Sequence, residues 1–450
     1  METIRENIKK LMKNKTEREI RRIVENTPIT ELIESWDDLS QEEAIKIFAM
    51  MDLEKKLDLF NSLPHSKQEE LIRSLTAENR RILFEEMEPD DIADFMQSVS
   101  PEIREAVWKN LSDEAKEETR FLLKFDEDDA AGLMTPRYMA LRSSQTVGQA
   151  ITWVRRNVKH VETIYYLYVL DQLKRLIGVV SIKELLAAND NELIDNIMVK
   201  KVISVREDTD QEEAAKIMET YDLVALPVVD SYNRLLGIIT VDDIIDVIRE
   251  EQTEDVYKMS AMGGSTERYL ESSVFALFKK RIPWLVILLF AATITTNVLA
   301  HYQTILEVAV VLSFFIPIVT GTGGNCGSQS ATLMIRGLAT GEIHFHDILR
   351  ISIKEIVIGA IIGITLGVLT IVRSMYLPPY ISLHVAFAVG TAMVFVVIFA
   401  TLIGAIFPLI ISKIGLDPTV MAGPLMATLI DVTGLTIYFQ TAKFLLGLQG

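Results

Sequence analysis

Apolar residues recur every twelve positions through the first part of the chain, at Leu39, Met51, Leu63, Leu75, Met87, Val99, Leu111 and Leu123. All but the last are followed by Ser, Asp, Pro, Thr or Glu, as in LSQEEAIKIFAM, LTAENRRILFEE, MEPDDIADFMQS and VSPEIREAVWKN. Ser40 with Glu43 predicts a capping box, and Pro101 after Ser100 predicts a first helical turn. Each unit therefore predicts one short helix starting just after an apolar anchor. A run of them predicts an all-α helical-repeat domain, a small solenoid, over residues 1–130. Asp58, Asp90, Asp91 and Asp94 are spread along it, as a solvated face would have them.

Between 131 and 255 the pattern becomes two copies of a strand, turn, strand, helix signal. ETIYYLYVLDQLKRLIGVVSIKELLAA aligns with YDLVALPVVDSYNRLLGIITVDDIIDVI, with Gly178 and Gly237 in the second strands. Ser181 and Thr240 then cap helices whose third residues are Glu184 and Asp243. The doubled G-h-h-[ST]-x-x-[DE] signature resembles a tandem pair of CBS domains. That resemblance implies a regulatory α/β module that dimerises and often binds an adenine nucleotide. ATP or another adenine nucleotide is then the expected cofactor, near Tyr166 and Glu184.

After FKKRIPWLVILLF the chain is dominated by long apolar runs. They predict an all-α polytopic membrane domain over 282–450 with five transmembrane helices, at about 282–303, 306–335, 355–376, 384–411 and 418–446. The second and fifth are long enough to need tilts or breaks. Residues 256–281 are expected to form a connecting, plug-like helix. With the N-terminal domains cytoplasmic, Lys279, Lys280, Arg281, Arg336, Arg350, Lys354 and Lys413 all fall inside, and only Arg373 and Lys443 lie near the outer ends. That satisfies the positive-inside rule. The opening METIRENIKK has no apolar h-region, so no cleaved signal peptide is expected.

Charge sharpens the division. Residues 282–450 hold six acidic and six basic side chains, so the net charge of −17 belongs entirely to 1–281. Such an acidic portion repels nucleic acid and attracts cations. The single cysteine, Cys326, excludes an intrachain disulfide or a Cys-rich zinc site and reads as a small packing residue.

Two membrane stretches are unlike lipid-facing sequence. In PIVTGTGGNCGSQSAT, four glycines allow close backbone approach, Pro317 is expected to free a carbonyl, and Asn325, Ser328, Gln329, Ser330 and Thr332 add polar groups. In GPLMATLIDVTGLTIYF, Asp431 sits in an apolar tract where a carboxylate costs about 3 kcal/mol. No cationic partner is evident at that depth, and Asp431 reads as the one deep carboxylate, with Glu307 near the outer side. A water-filled path that attracts a cation explains it. Two copies about a two-fold axis would match a divalent ion. The absence of a His or thiolate cluster argues against zinc or copper. One carboxylate among glycine, hydroxyl and backbone oxygens suits hydrated magnesium better than calcium; manganese and cobalt are not distinguished.

An acidic helical repeat, a CBS pair, GTGGNCGSQSAT and PLMATLIDVTG, in this order, resemble the MgtE family of magnesium channels. The resemblance implies a homodimer in the cell membrane, multi-pass, with its N-terminal domains cytoplasmic and its pore lined by the second and fifth spans. Asp431 would hold the pore Mg2+, with Ala427, Gly324, Asn325, Gly327 and Ser328 lining the path. Some members have Asn where this chain has Gly423 and Ser328. It also implies a gate closed by cytosolic Mg2+ on acidic residues, here Asp58, Asp90, Asp94, Asp210, Glu212, Asp222, Asp243, Asp246, Glu251, Glu254, Asp255 and Asp417. The alternatives are a secondary-active divalent cation transporter and a membrane-anchored metal or nucleotide sensor. No nucleophile-base constellation or phosphate-binding glycine loop points to an enzyme.

Overall fold

The computed structural model describes residues 17–36, 39–263, 269, 272–421 and 423–448. The chain falls into two units, Met1–Arg249 and Glu250–Gly450.

The first unit opens with α1 (Glu17–Asn26), α2 (Ile29–Trp36), α3 (Gln41–Met50), α4 (Leu53–Ser62), α5 (His65–Ser74), α6 (Ala77–Glu86), α7 (Pro89–Ser98), α8 (Pro101–Asn110) and α9 (Asp113–Leu122). The twelve-residue period is a ten-residue helix plus two extended residues. The first, such as Met51 or Leu63, is buried, and the second caps the next helix. Ser40 and Glu43 form the capping box, while Asp52 and Thr76 accept from Lys55 N and Asn79 N. Glu88 and Ser100 instead precede prolines at the first helical position, where a missing N–H costs nothing. Helices pack mainly on the one after next, around Phe60, Phe84 and Phe95, each worth roughly 2–3 kcal/mol of burial.

The CBS pair repeats one design twice. β1 (Ala140–Arg142) pairs parallel with β2 (Tyr166–Leu170), which pairs antiparallel with β3 (Leu176–Ser181). β4 (Val205–Arg206), β5 (Ala225–Val229) and β6 (Leu235–Thr240) do the same, with a register shift at the equivalent place. Between the strands lie α10 (Val147–Asn157), α11 (Ile182–Ala187), α12 (Ile194–Ile197) and α13 (Gln211–Thr220), and β6 leads into α14 (Val241–Met259).

The second unit holds α15 (Val274–His301), α16 (Gln303–Val308), α17 (Ile316–Ala339), α18 (Ile348–Tyr376), α19 (Leu383–Lys413) and α20 (Pro424–Leu446). Among the described residues, four stretches are long and apolar enough to cross a membrane: Val274–His301, Val310–Ala339, Phe345–Tyr376 and Leu383–Lys413. α20 is more polar, yet it packs into the same core: Tyr438 donates to Leu312 O at 2.9 Å, and Tyr302 stacks on Phe439 at 4.9 Å. The two long spans are both broken, the second by the 3-10 turn Val310–Phe315 and the fifth by Pro418–Met421. Pro317 lies in the first turn of α17, so it frees no carbonyl within the helix, contrary to the sequence expectation. Of the expected connecting helix 256–281, residues 256–259 end α14 and 274–281 begin α15; residues 264–268 and 270–271 lie outside the described residues.

Candidate functional site

α17 and α20 meet through small residues. A Cβ placed on Gly324 would lie 3.8 Å from Ala427 Cβ, and one on Gly323 would press Ile430 at 3.1 Å. One residue beyond Ile430 stands Asp431, half-buried, and among the described residues it has neither an ion pair nor a hydrogen bond. Thr428 and Thr433, which flank it, donate to Pro424 O and Leu429 O at 3.0 Å within their own helix. Their hydroxyl protons are therefore not directed at Asp431.

Gly327 is buried, Ser328 is half-buried, and Asn325, Gln329 and Thr332 are exposed. Their spacing puts the exposed three on one side of α17, a polar stripe on a membrane helix. Lipid does not solvate such a stripe.

A second group of acids lies in the first unit. Glu88, Asp90 and Glu162 bring carboxylate oxygens within 4.8 Å of one another, and so do Glu162, Asp242 and Asp243, so Glu162 belongs to both sets. Asp91 lies close enough for its ionisation to be opposed by Asp243, and it accepts a short hydrogen bond from Asn61. Arg137 brings a positive charge to this cluster, 3.3 Å from Glu88 and 3.0 Å from Glu118. Burial, then the charge of Asp243, raises Asp91 and Glu162 to about 7. Burial raises Asp243 to about 6 against the hydrogen bond from Thr240, and burial with the Glu162 charge lifts Asp90 well above the carboxylate range. Asp90 Oδ1 and Glu162 Oε2 are buried without a hydrogen-bond partner among the described residues. Unpaired buried oxygens beside like charges suit a hard divalent cation, which takes carboxylate oxygens and supplies the missing charge.

A third group lies in the second unit, where Lys258 Nζ sits 3.1 Å from Glu254 and 2.9 Å from Asp417. Asp255 beside them is raised by burial and by the Asp417 charge. Glu251 is half-buried on the same helix.

Other expected ligands stand apart. Asp58 and Asp94 are exposed on α4 and α7, and Asp246 pairs with Arg249 at 3.1 Å. Asp210 caps α13 through Glu212 N at 2.8 Å, whereas Asp222 lies beyond the helix's other end. A ten-residue helix is about 15 Å long, so Asp222 cannot share one ion with Asp210 and Glu212 inside one chain. Tyr166 is half-buried at the start of β2, and Glu184 is engaged in a capping box, accepting from Ser181 N at 3.0 Å.

Sequence reasoning missed Glu88, Glu162 and Asp242, because their neighbours in the chain carry no shared motif with Asp90. It also took Asp431 as the one deep carboxylate of the membrane domain. The structure corrects this: Glu355 is buried in α18, 5% exposed, and accepts from Ser330 at 2.8 Å. Glu307 is exposed and accepts from Gln303 at 2.8 Å. His344, His346 and Asp347, also not singled out, cluster between α17 and α18.

Residues 27–128 match the MgtE intracellular N domain, 194–250 a CBS domain, and 316–441 the MgtE profile described as a divalent cation transporter. The chain is 37% identical over 433 residues to the magnesium transporter MgtE of Thermus thermophilus, covering 95% of each. It belongs to the MgtE family of magnesium transporters. The MgtE of Bacillus subtilis is 31% identical over 365 residues, covering 80% of this chain and 79% of the relative. The cytosolic domain of an Mg2+ channel MgtE, crystallised in complex with ATP, superimposes with a TM-score of 0.53 at 35% identity. It covers 54% of this chain and 99% of that one. The chain is thus a multi-pass membrane protein of the MgtE family with an intracellular N-terminal domain.

Proposed function

We propose that this MgtE-family chain conducts Mg2+ across the cell membrane as a homodimeric channel whose path runs along α17 and α20. The observation that carries the reading is Asp431: a half-buried carboxylate on a membrane helix without a partner among the described residues. The exposed stripe of Asn325, Gln329 and Thr332 supports a second copy, since pairing two stripes about a two-fold axis removes them from lipid and lines a polar passage. Asp431 would attract the hydrated ion electrostatically, and the backbone near Ala427 and Gly324 would let it pass without losing all its water. The relatives named magnesium transporters favour Mg2+ as the cargo.

The gate we propose is closed by cytosolic Mg2+. Like charges at buried Asp90 and half-buried Glu88, Glu162 and Asp243 oppose the compact arrangement, and a bound divalent ion would neutralise them. The ion acts only through its preference for that arrangement, so a steep response needs several sites. Asp58, Asp94, Asp210, Glu212, Asp222, Asp246, Glu251, Glu254, Asp255 and Asp417 are the candidates for the rest. The relative crystallised with ATP supports an adenine nucleotide on the CBS pair near Tyr166.

Mg2+ uptake into liposomes by the wild type and Asp431→Ala, with and without a proton or sodium gradient, tests the pore. Loss of uptake in the variant and independence of the second gradient are expected. Equal uptake by both proteins would sink the reading, and uptake that required the second gradient would make the chain a secondary-active transporter.

A further inference from the structure

We infer that Glu355 is a positioning residue for transport, holding the pore helix α17 in place through Ser330; the inference rests on the pore reading above. Glu355 is the eighth residue of α18, two turns inside the helix, and only 5% exposed. Ser330 Oγ, also buried, donates to Glu355 Oε2 at 2.8 Å. Thr401 Oγ1 of α19 donates to the Glu355 carbonyl at 3.3 Å. Among the described residues no Lys or Arg pairs with Glu355. A carboxyl so buried is costly, whereas packing alone would be served by Leu or Met at no such penalty. Among the described residues, the one hydrogen bond to its carboxyl comes from a hydroxyl of the pore helix.

The faces of α17 show what that contact positions. At about 100° per residue, Ser330 lies roughly 140° from Asn325, away from the exposed stripe. It shares its side with Gly323, Gly327 and Met334, all buried. At Gly327 the helix touches two neighbours. A Cβ on Gly404 of α19 would collide with the Gly327 carbonyl oxygen, and a Cβ on Gly327 would collide with Ile430 Cδ1, beside Asp431. The Ser330 to Glu355 bond therefore sits one turn from the contact that joins α17 to both α19 and the helix of Asp431. Glu355 does not face the stripe, so it is not a second ion site. Its carboxyl sets the height and rotation of α17, and with them the placement of Asn325 and Ser328 relative to Asp431.

The test is Mg2+ uptake by the full chain in liposomes, comparing Glu355→Ala, Glu355→Gln, Ser330→Ala and the Glu355→Ala/Ser330→Ala pair. Glu355→Ala and Ser330→Ala should each lower maximal uptake about tenfold, and the pair should be no worse than the poorer single variant, as expected of residues acting through one bond. Half-saturating Mg2+ should stay within about twofold, because Asp431 is untouched. Glu355→Gln keeps an acceptor for Ser330 and should retain most of the rate. Equal loss in Glu355→Gln and Glu355→Ala would overturn the inference by making the ionisable group essential, and so would multiplying losses in the pair. If Glu355→Ala does not reconstitute, Glu355→Gln and Ser330→Ala decide. Wild-type uptake by Asp431→Ala would sink the pore reading instead, whatever Glu355 variants do.

Discussion

The ammonium of Lys258 stands 2.9 Å from Asp417 Oδ2, tying the end of α14 to the loop that leads into α20. Glu254 holds the same ammonium at 3.1 Å, and a Cβ on Gly423 would collide with the Met259 carbonyl. A side chain of this chain thus already occupies the place where Glu254, Asp255 and Asp417 are proposed to receive Mg2+. Lys258→Gln would remove that resident cation and leave the three carboxylates to repel. We expect faster amide exchange across 241–259 in chelator. The Mg2+ needed for half-maximal protection should fall by about fivefold, the order of a partly exposed ion pair. An unchanged Mg2+ midpoint would mean that Lys258 does not compete at this group.

Glu162 belongs to both acidic sets of the first unit, and the charges of Asp243 and Glu88 oppose its ionisation. Glu162→Gln should relieve repulsion when no divalent ion is present. In chelator the melting transition of the unit Met1–Arg249, followed in the full chain, should rise by about 2–4 °C, equivalent to roughly 1 kcal/mol for a unit of that size. The additional rise caused by Mg2+ should shrink, because a ligand oxygen with charge has been lost. A variant that melts like wild type both with and without Mg2+ would remove the cluster from the gate.

The same cluster fixes the direction of a pH effect. Asp91 and Glu162 are raised to about 7 and Asp243 to about 6 in the folded chain, above the values they have when unfolded. Between the unfolded and folded pKa the folded state binds more protons, so stability is fully present at acid pH and is lost as pH rises through 6 to 7. In chelator, thermal scans should show lower melting at pH 8 than at pH 5.5. Mg2+ binds the deprotonated carboxylates, so its affinity should increase about tenfold per pH unit for each proton displaced in that window. Affinity that is flat between pH 6 and 8 would exclude these groups as ligands.

Much of the fold was legible because it is written in local periods. The anchor and cap residues every twelve positions, such as Met51 with Asp52, fold over one turn of chain and need no distant partner. The doubled strand signature and the apolar spans are equally local. Sites depend on distant meetings: nothing near Glu162 announces Asp90, 72 positions earlier in the sequence. Glu355 follows Arg350 and Lys354 in the sequence, and that local charge pattern does not show that it is buried. A finer signal was present, since Ile351, Glu355, Gly359, Gly363 and Gly367 recur every four residues and all are buried, placing the acid on the packed stripe of α18. Gln329 and Ser330 read as one polar tract in the sequence, yet the helix exposes the first and buries the second.

That separation predicts where two copies meet. Gln329 is exposed on the polar stripe, whereas Val368 is exposed on the apolar surface of α18. Cys326 is the one native cysteine, so a Cys326→Ala background permits single thiols to be placed at will. In membranes treated with a mild oxidant, Gln329→Cys should give a covalent dimer, because a disulfide forms only when the two Cα atoms come within about 7 Å or less. Val368→Cys should remain a monomer under the same conditions, since lipid separates its copies. Asp431→Asn added to the Gln329→Cys background should leave the crosslink intact, as the stripe and not the ion holds the copies together. Crosslinking at Val368 with none at Gln329 would place the interface on α18 and overturn the proposed pairing of the Asn325, Gln329 and Thr332 stripes.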